Sequence, residues 1–355
     1  MPHLFSPLTI RDITLRNRIG VSPMCMYSYE DGLANDWTLA HLGARAAGGV
    51  GLVISEAAAV EARGRISPDD LGIWSDAHID PLARVTRFIK SQGAVAGIQL
   101  AHAGRKASST RPWDGGAPLQ LTDPRGWQVV GPSPLAFSPR HQTPEELTLE
   151  GIRQVQAAFV DAARRALQAG FEWLELHGAH GYLIHSFLSP WSNHRADAYG
   201  GSFDNRIRFC IETVQAARAV WPERMPFTVR ISGTDWIGEE GWTLEESVEL
   251  AKRLKAEGVD LVDCSSSGNA QHAKPPVGPG YQVHIAEAVR RGAEIHTAAV
   301  GLITTPEQAD AVIREERADV VLLGRALLRD PHWALRAAKE LGHPAPVPPQ
   351  YLRAF

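Results

Sequence analysis

The sequence predicts a single (β/α)8 barrel occupying residues 1–355. Two observations carry that prediction. First, a short unit recurs along the chain: an amphipathic stretch, a glycine, then a brief apolar segment ending in polar residues. Glycine supplies the left-handed position that ends a helix, and an unbroken apolar run of this length is the signature of a strand buried on both faces. Second, eight such strands alternate with helical segments, which is the rhythm of a closed parallel barrel. A doubly wound open sheet would share that rhythm, but no G-x-G-x-x-G follows the first strand.

In chain order, the first strand is 18–21, running into Ser22-Pro23-Met24-Cys25. Gly48-Gly49 precede the second, 50–56, and Gly93 precedes the third, 94–100. Gly170 introduces the fourth, 171–177; the fifth is 227–230, and Gly258 leads into the sixth, 259–265. Gly292 precedes the seventh, which ends at Gly301, and the eighth, 318–323, runs into Gly324-Arg325. Thr243-Leu-Glu-Glu246 and Thr305-Pro-Glu-Gln308 have the form of capping boxes, the second with proline at the first helical position. One connection breaks the pattern. Residues 106–146, rich in Pro, Gly and Trp, far exceed the usual βα loop of about 2–6 residues, so a capping excursion over the barrel mouth is expected after strand three. The tail, 344–355, carries Tyr351, Arg353 and Phe355 after four prolines, a composition suited to docking and not to a loose, featureless end.

Composition narrows the function. A net charge of −4 gives no footprint for nucleic acid or an anionic membrane surface. No apolar run reaches the ~18 residues of a membrane helix, and the first residues lack a charged-then-apolar signal, so a cytoplasmic protein is expected. Cys25, Cys210 and Cys264 are scattered, which argues against a disulfide framework, a zinc ribbon or an iron–sulfur cluster.

In such a barrel the chemistry sits at the C-terminal strand ends. Those positions read Cys25, Glu56-Ala57, Gln99, His177 with His180, Arg230, Ser265, Gly301 and Gly324-Arg325. The densest is His177-Gly-Ala-His180-Gly-Tyr182. Two ring N–H donors beside a phenol suit a carbonyl that gathers negative charge while a nearby carbon takes up a proton; a glycine-rich turn with incidental histidines is the plain alternative. Gly301 and Gly324 allow close backbone approach, and Arg325, opening a helical stretch, offers a fork for the phosphate that barrels hold after strands seven and eight. Gln99 and Arg230 suit the polar edge of a heterocycle, with the cation opposite an anionic reduced ring.

These residues resemble the Old Yellow Enzyme family of FMN-dependent ene-reductases, in particular its thermophilic-like (class III) bacterial branch. The similarity rests on Ser22-Pro-Met-Cys25-Met-Tyr27, Gln99-Leu-Ala-His-Ala-Gly-Arg105-Lys106, His177-Gly-Ala-His180-Gly-Tyr182 through Pro190, Asn193-His-Arg through Ser202, Val229-Arg230, Gly324-Arg325 and Gln350-Tyr-Leu-Arg353. The resemblance implies non-covalent FMN, with Ser22, Pro23, Met24, Cys25 and Ala57 along the ring and Gln99 and Arg230 at its pyrimidine edge. It gives the phosphate to Gly301, Gly324 and Arg325, and the ribityl chain to Ser265 or to Ser266 or Ser267, since the turn runs a residue longer than expected. His177 and His180 would grip the substrate carbonyl, Tyr182 would donate the proton, and Cys25 would tune the flavin. Tyr27 would face the enone, as would Arg353 of the partner subunit in a homodimer or homotetramer. NADPH or NADH would be the transient hydride donor in a ping-pong cycle. Two other readings stay open at this point: a flavin-binding sensor or carrier without turnover, and a metal-dependent barrel hydrolase using His177, His180 and His185.

Overall fold

Eight parallel strands close on themselves in a computed structural model that describes residues 2–354. They are β1 (Ile19–Val21), β2 (Leu52–Ala59), β3 (Val95–Ala101), β4 (Trp173–Gly178), β5 (Phe227–Ser232), β6 (Leu261–Ser265), β7 (His296–Ala299) and β8 (Val320–Leu323). Each pairs with its sequence neighbours, and β8 pairs with β1 to complete the ring. All eight coincide with the strands expected from sequence. The helices are α1 (Asp36–Ala47), α2 (Ile79–Ser91), α3 (Leu149–Gln168), α4 (Leu183–Leu188), α5 (Phe203–Arg218), α6 (Leu244–Ala256), α7 (Val283–Ala293), α8 (Pro306–Arg314), α9 (Arg325–Arg329) and α10 (Trp333–Glu340).

Local chemistry explains the boundaries. Thr243 and Thr305 each accept from the third helical N–H while Glu246 and Gln308 reach back to the cap, so both expected capping boxes form. Gly49, Gly93, Gly170 and Gly258 take positive φ after their helices. Gly292 does not: it lies within α7, and Glu294 takes the left-handed position instead (φ 52°). An added Cβ at Gly292 would meet Val248 Cγ1 at 2.5 Å, so close packing of α7 on α6 is what requires glycine there.

The barrel interior is filled at its lower end by Leu52, Ile54, Val95, Trp173, Leu261, Val320 and Leu322. A hairpin that the sequence pattern does not announce, Leu8–Ile10 paired with Ile13–Leu15, seals that end by burying Leu8, Ile10 and Leu15 against them. Two three-residue strands are too short for alternation to register. At the other end, residues 102–148 connect β3 to α3 with short turns and a two-residue ladder, Val130–Gly131 against Glu145–Glu146. This segment contacts the loops that follow β1, β2 and β4: Trp113 meets Tyr27 edge-on, Trp127 Nε1 donates to Arg63 O (2.8 Å), and Ser133 Oγ accepts from His194 N (2.8 Å). In the tail, Tyr351 packs edge-on against His332, and Arg353 is exposed. Phe355 lies outside the described residues. No helix among them is long and apolar enough to cross a membrane.

Candidate active site

At the end of β4 the chain turns sharply: His180 adopts φ 59° and Gly181 φ 75°. Three bonds hold that turn. His180 N donates to Ser232 Oγ (2.9 Å), Lys106 Nζ donates to His180 O (2.7 Å), and the same ammonium reaches Gly268 O (2.8 Å). The rings of His177, His180 and Tyr182 then stand nearly perpendicular to one another, with centroids 5.1 Å apart for the histidines and 4.9 Å for His177 and Tyr182. His177 Nε2 lies 3.4 Å from His180 Nδ1, and His180 Nε2 lies 2.7 Å from Ser265 Oγ. Desolvation, reinforced by the Arg230 charge, holds both imidazoles well below their usual range, so they are neutral at physiological pH. Desolvation and the neighbouring Cys25 and Tyr27 push the Tyr182 phenol well up, keeping it protonated. Its hydroxyl has no hydrogen-bond partner among the described residues. His185, by contrast, turns away: it accepts from Gly181 N (2.8 Å) and lies 3.2 Å from Asp235 Oδ1. The three histidines therefore do not converge, and no described group of His, Cys, Asp and Glu is arranged to hold a metal.

Deeper in the barrel sit four polar groups, of which sequence reasoning found two. Gln99 Nε2 donates to Glu175 Oε1 (2.9 Å), and Arg230 Nε lies 3.0 Å from Asp263 Oδ2. Burial pushes both carboxyls up, Asp263 despite the arginine and Glu175 with further repulsion from Asp263. The Arg230–Asp263 contact is out of line for a hydrogen bond, so Arg230 Nε and both Asp263 oxygens lack a partner. A charged residue inside an otherwise apolar strand was the available signal for Glu175 and Asp263, because such a group must find a counter-charge or a donor.

The loop after β1 is anchored from β2. A register irregularity between Ile54 and Ala57 brings Glu56 to Met26 N (2.7 Å) and to the Tyr29 hydroxyl. Burial outweighs those two donors and raises the Glu56 carboxyl to about 8. Cys25 and Tyr27 are thereby held beside Tyr182; the Cys25 thiol is pushed well up by burial and by Asp70 and Glu56, so it is a thiol and not a thiolate.

At the ends of β7 and β8 a cavity of about 240 Å³ is lined by Tyr281, Gln282, Gly301, Gly324 and Arg325. Gly301 has φ 124°, and a Cβ there would meet Gln282 Nε2 at 3.0 Å. A larger cavity of about 700 Å³ opens at the opposite end of the barrel, where Arg11 pairs with Asp260 (2.7 Å) and Arg290 with Asp319 (3.1 Å). That end of a barrel carries stability and not chemistry.

A model of the NADH:flavin oxidoreductase / NADH oxidase family matches residues 3–343. The chain belongs to this family, the Old Yellow Enzymes. An NADPH dehydrogenase of Geobacillus sp. (strain WCH70) is 50% identical over 354 residues, covering 99% of this chain and 98% of that protein. One from Bacillus subtilis (strain 168) is 46% identical over 354 residues, covering 99% of each. Among solved structures, morphinone reductase in complex with tetrahydroNAD superposes with a TM-score of 0.80 at 25% identity, covering 97% of this chain and 92% of that one. This Old Yellow Enzyme is thus an FMN-dependent NAD(P)H dehydrogenase.

The barrel's own atoms fit FMN. Arg230 and Asp263 present buried polar atoms without partners, which a ring edge with donors and acceptors can answer. Gln99, fixed through its Nε2, keeps its amide oxygen uncommitted. The cavity beside Gly301 and Arg325 has the size and donor set for a phosphate. Ser265 and Ser266 have protein partners of their own, His180 and Gln282 Oε1 (2.6 Å).

Proposed function

We propose that this dehydrogenase reduces the carbon–carbon double bond of α,β-unsaturated carbonyl compounds. The observation that carries the reading is the set of three rings at the end of β4: two neutral imidazoles whose nitrogens lie 3.4 Å apart, beside a protonated phenol whose hydroxyl the protein leaves free. Bound FMN, recharged by NADPH or NADH, supplies the hydride for the β-carbon.

The protein's part is to hold the carbonyl and deliver the proton. His177 Nδ1 accepts from Ala179 N (3.2 Å), so the neutral ring carries its proton on Nε2 and can donate it to a carbonyl oxygen. A preorganised donor of this kind contributes about 2.7–4 kcal/mol as charge develops on that oxygen. The Tyr182 hydroxyl, protonated across the neutral range, delivers its proton to the α-carbon. In this reading Ser22, Pro23, Met24, Cys25 and Ala57 lie along the flavin, Gln99 and Arg230 hold its pyrimidine edge, and Gly301, Gly324 and Arg325 hold its phosphate. Tyr27 and Arg353 of the partner subunit face the enone in a homo-oligomer, and residues 106–146 cover the mouth.

The test is anaerobic turnover of holoenzyme with NADPH and 2-cyclohexenone. Cyclohexanone formed in step with NADPH oxidation supports the reading. NADPH oxidation that proceeds only when oxygen is admitted would overturn it, leaving an oxidase or a flavin carrier.

A further inference from the structure

We infer that Ser265 is a positioning residue that fixes the tautomer of His180, so that this histidine meets the substrate oxygen with an N–H and not with a lone pair. The inference rests on the carbonyl-holding role proposed for the histidine pair.

A backbone N–H can only donate, so the bond from Ala179 N leaves His177 Nδ1 bare and places the ring proton on Nε2. That Nε2 points at His180 Nδ1, 3.4 Å away. Two tautomers of His180 answer it differently. If His180 carries its proton on Nε2, its bare Nδ1 accepts from His177, and the pair satisfies itself. A carbonyl oxygen approaching that pair meets one donor and one lone pair. If His180 carries its proton on Nδ1, the converging nitrogens are both donors, and an oxygen bearing developing negative charge is held twice.

The far nitrogen decides between them. His180 Nε2 lies 2.7 Å from Ser265 Oγ, and this hydroxyl has no other side-chain partner among the described residues. A hydroxyl can donate or accept. When Ser265 donates, Nε2 is an acceptor and the ring proton must sit on Nδ1. The doubly protonated ring, which would need no selector, is disfavoured by burial and by Arg230. The backbone position of His180 does not depend on the serine. The His180 main chain is fixed independently by Ser232 Oγ and Lys106 Nζ, and Ser232 spends its own proton on Ser267 O (2.8 Å). Ser265 stands at the end of β6, so the sixth strand sets the protonation pattern of a side chain on the turn after the fourth. This gives Ser265 a function different from contact with the ribityl chain.

The experiment uses holoenzyme with histidine labelled with heavy nitrogen and 4-chlorophenol as the probe, its oxyanion imitating the charge on a reacting carbonyl. Two-bond nitrogen–proton correlation spectra separate bare from protonated ring nitrogens. With the probe bound, wild-type His180 is expected to show a protonated Nδ1, and Ser265→Ala to lose that pattern. In stopped-flow kinetics the Ala variant should slow enone reduction by about 10²-fold, the scale of one lost donor. Ser265→Thr, which retains a hydroxyl, should restore both. An Ala variant that keeps the protonated Nδ1, or a Thr variant that fails to restore it, would overturn the inference. A tautomer change in Ser265→Ala supports it even in an enzyme that proves inactive on enones, a result that removes the proposed substrate class alone.

Discussion

Replacing Tyr182 by phenylalanine isolates the proton donor from everything else the site does. The ring stays where its contacts put it, edge-on to His177 at 4.9 Å and under the Lys106 ammonium at 5.1 Å. Only the hydroxyl is lost, and it bonds to no described group, so no partner is left orphaned and folding stability should change by well under about 1 kcal/mol. The chemical loss is larger. Removing a positioned general acid costs ~10²–10⁴-fold, or about 2.7–5.4 kcal/mol of barrier. That acid is intact in the wild-type protein because burial, Cys25 and Tyr27 all raise its pKa above the ordinary phenol value. The assay is anaerobic stopped-flow of each half-reaction: flavin bleaching by NADPH, then recovery of the visible band on mixing with 2-cyclohexenone. Recovery should slow by ~10²-fold or more while bleaching holds its rate. Equal slowing of both halves, or no slowing of recovery, would refute the assignment of the proton to Tyr182.

Two further outcomes follow from the same geometry. Gly301→Ala should weaken FMN retention, because φ 124° strains any residue with a Cβ and that Cβ meets Gln282 Nε2 at 3.0 Å; strain of about 1–3 kcal/mol corresponds to roughly 5- to 160-fold weaker retention, measured by the fluorescence of freed flavin on dilution. Glu56→Gln should flatten the pH dependence of stability. The Glu56 carboxyl rises from 4.5 to about 8 on folding, so folding takes up a proton between those values, and the wild-type fold loses stability as pH climbs through that window. Thermal unfolding from about pH 5 to about pH 9 should show a shallower fall in Tm for the Gln variant, and parallel profiles would show that Glu56 is not the group responsible.

The barrel was legible because its strands are apolar on both faces and punctuated by glycine, as at Gly170 before β4 and Gly258 before β6. The capping boxes at Thr243 and Thr305 were equally local, and they formed as written. What stayed hidden was non-local or too short. Lys106 clamps carbonyls at His180 and Gly268, partners brought together only by closure of the barrel. Glu175 and Asp263 read as polar interruptions in strands, and their pairing with Gln99 and Arg230 depends on β3, β4, β5 and β6 lying side by side. The register irregularity in β2, which swings Glu56 onto the loop carrying Cys25, leaves no mark in hydrophobic periodicity. Gly292 shows the opposite error. A glycine in the expected place served helix packing and not helix termination, and Glu294 bore the left-handed turn.

Isotope placement reads out delivery of a hydride to the β-carbon and a proton to the α-carbon of a carbonyl held by His177 and His180. Holoenzyme is supplied, without oxygen, with 2-cyclohexenone and a reduced nicotinamide deuterated at its transferable position, and the product is read by proton and deuterium spectra. Cyclohexanone labelled only at the β-carbon is the predicted result, with the α-carbon labelled instead when unlabelled nicotinamide is used in heavy water. Deuterium on the carbonyl carbon of an alcohol product would contradict the account, because the two histidines would then be activating the carbonyl itself as the hydride acceptor.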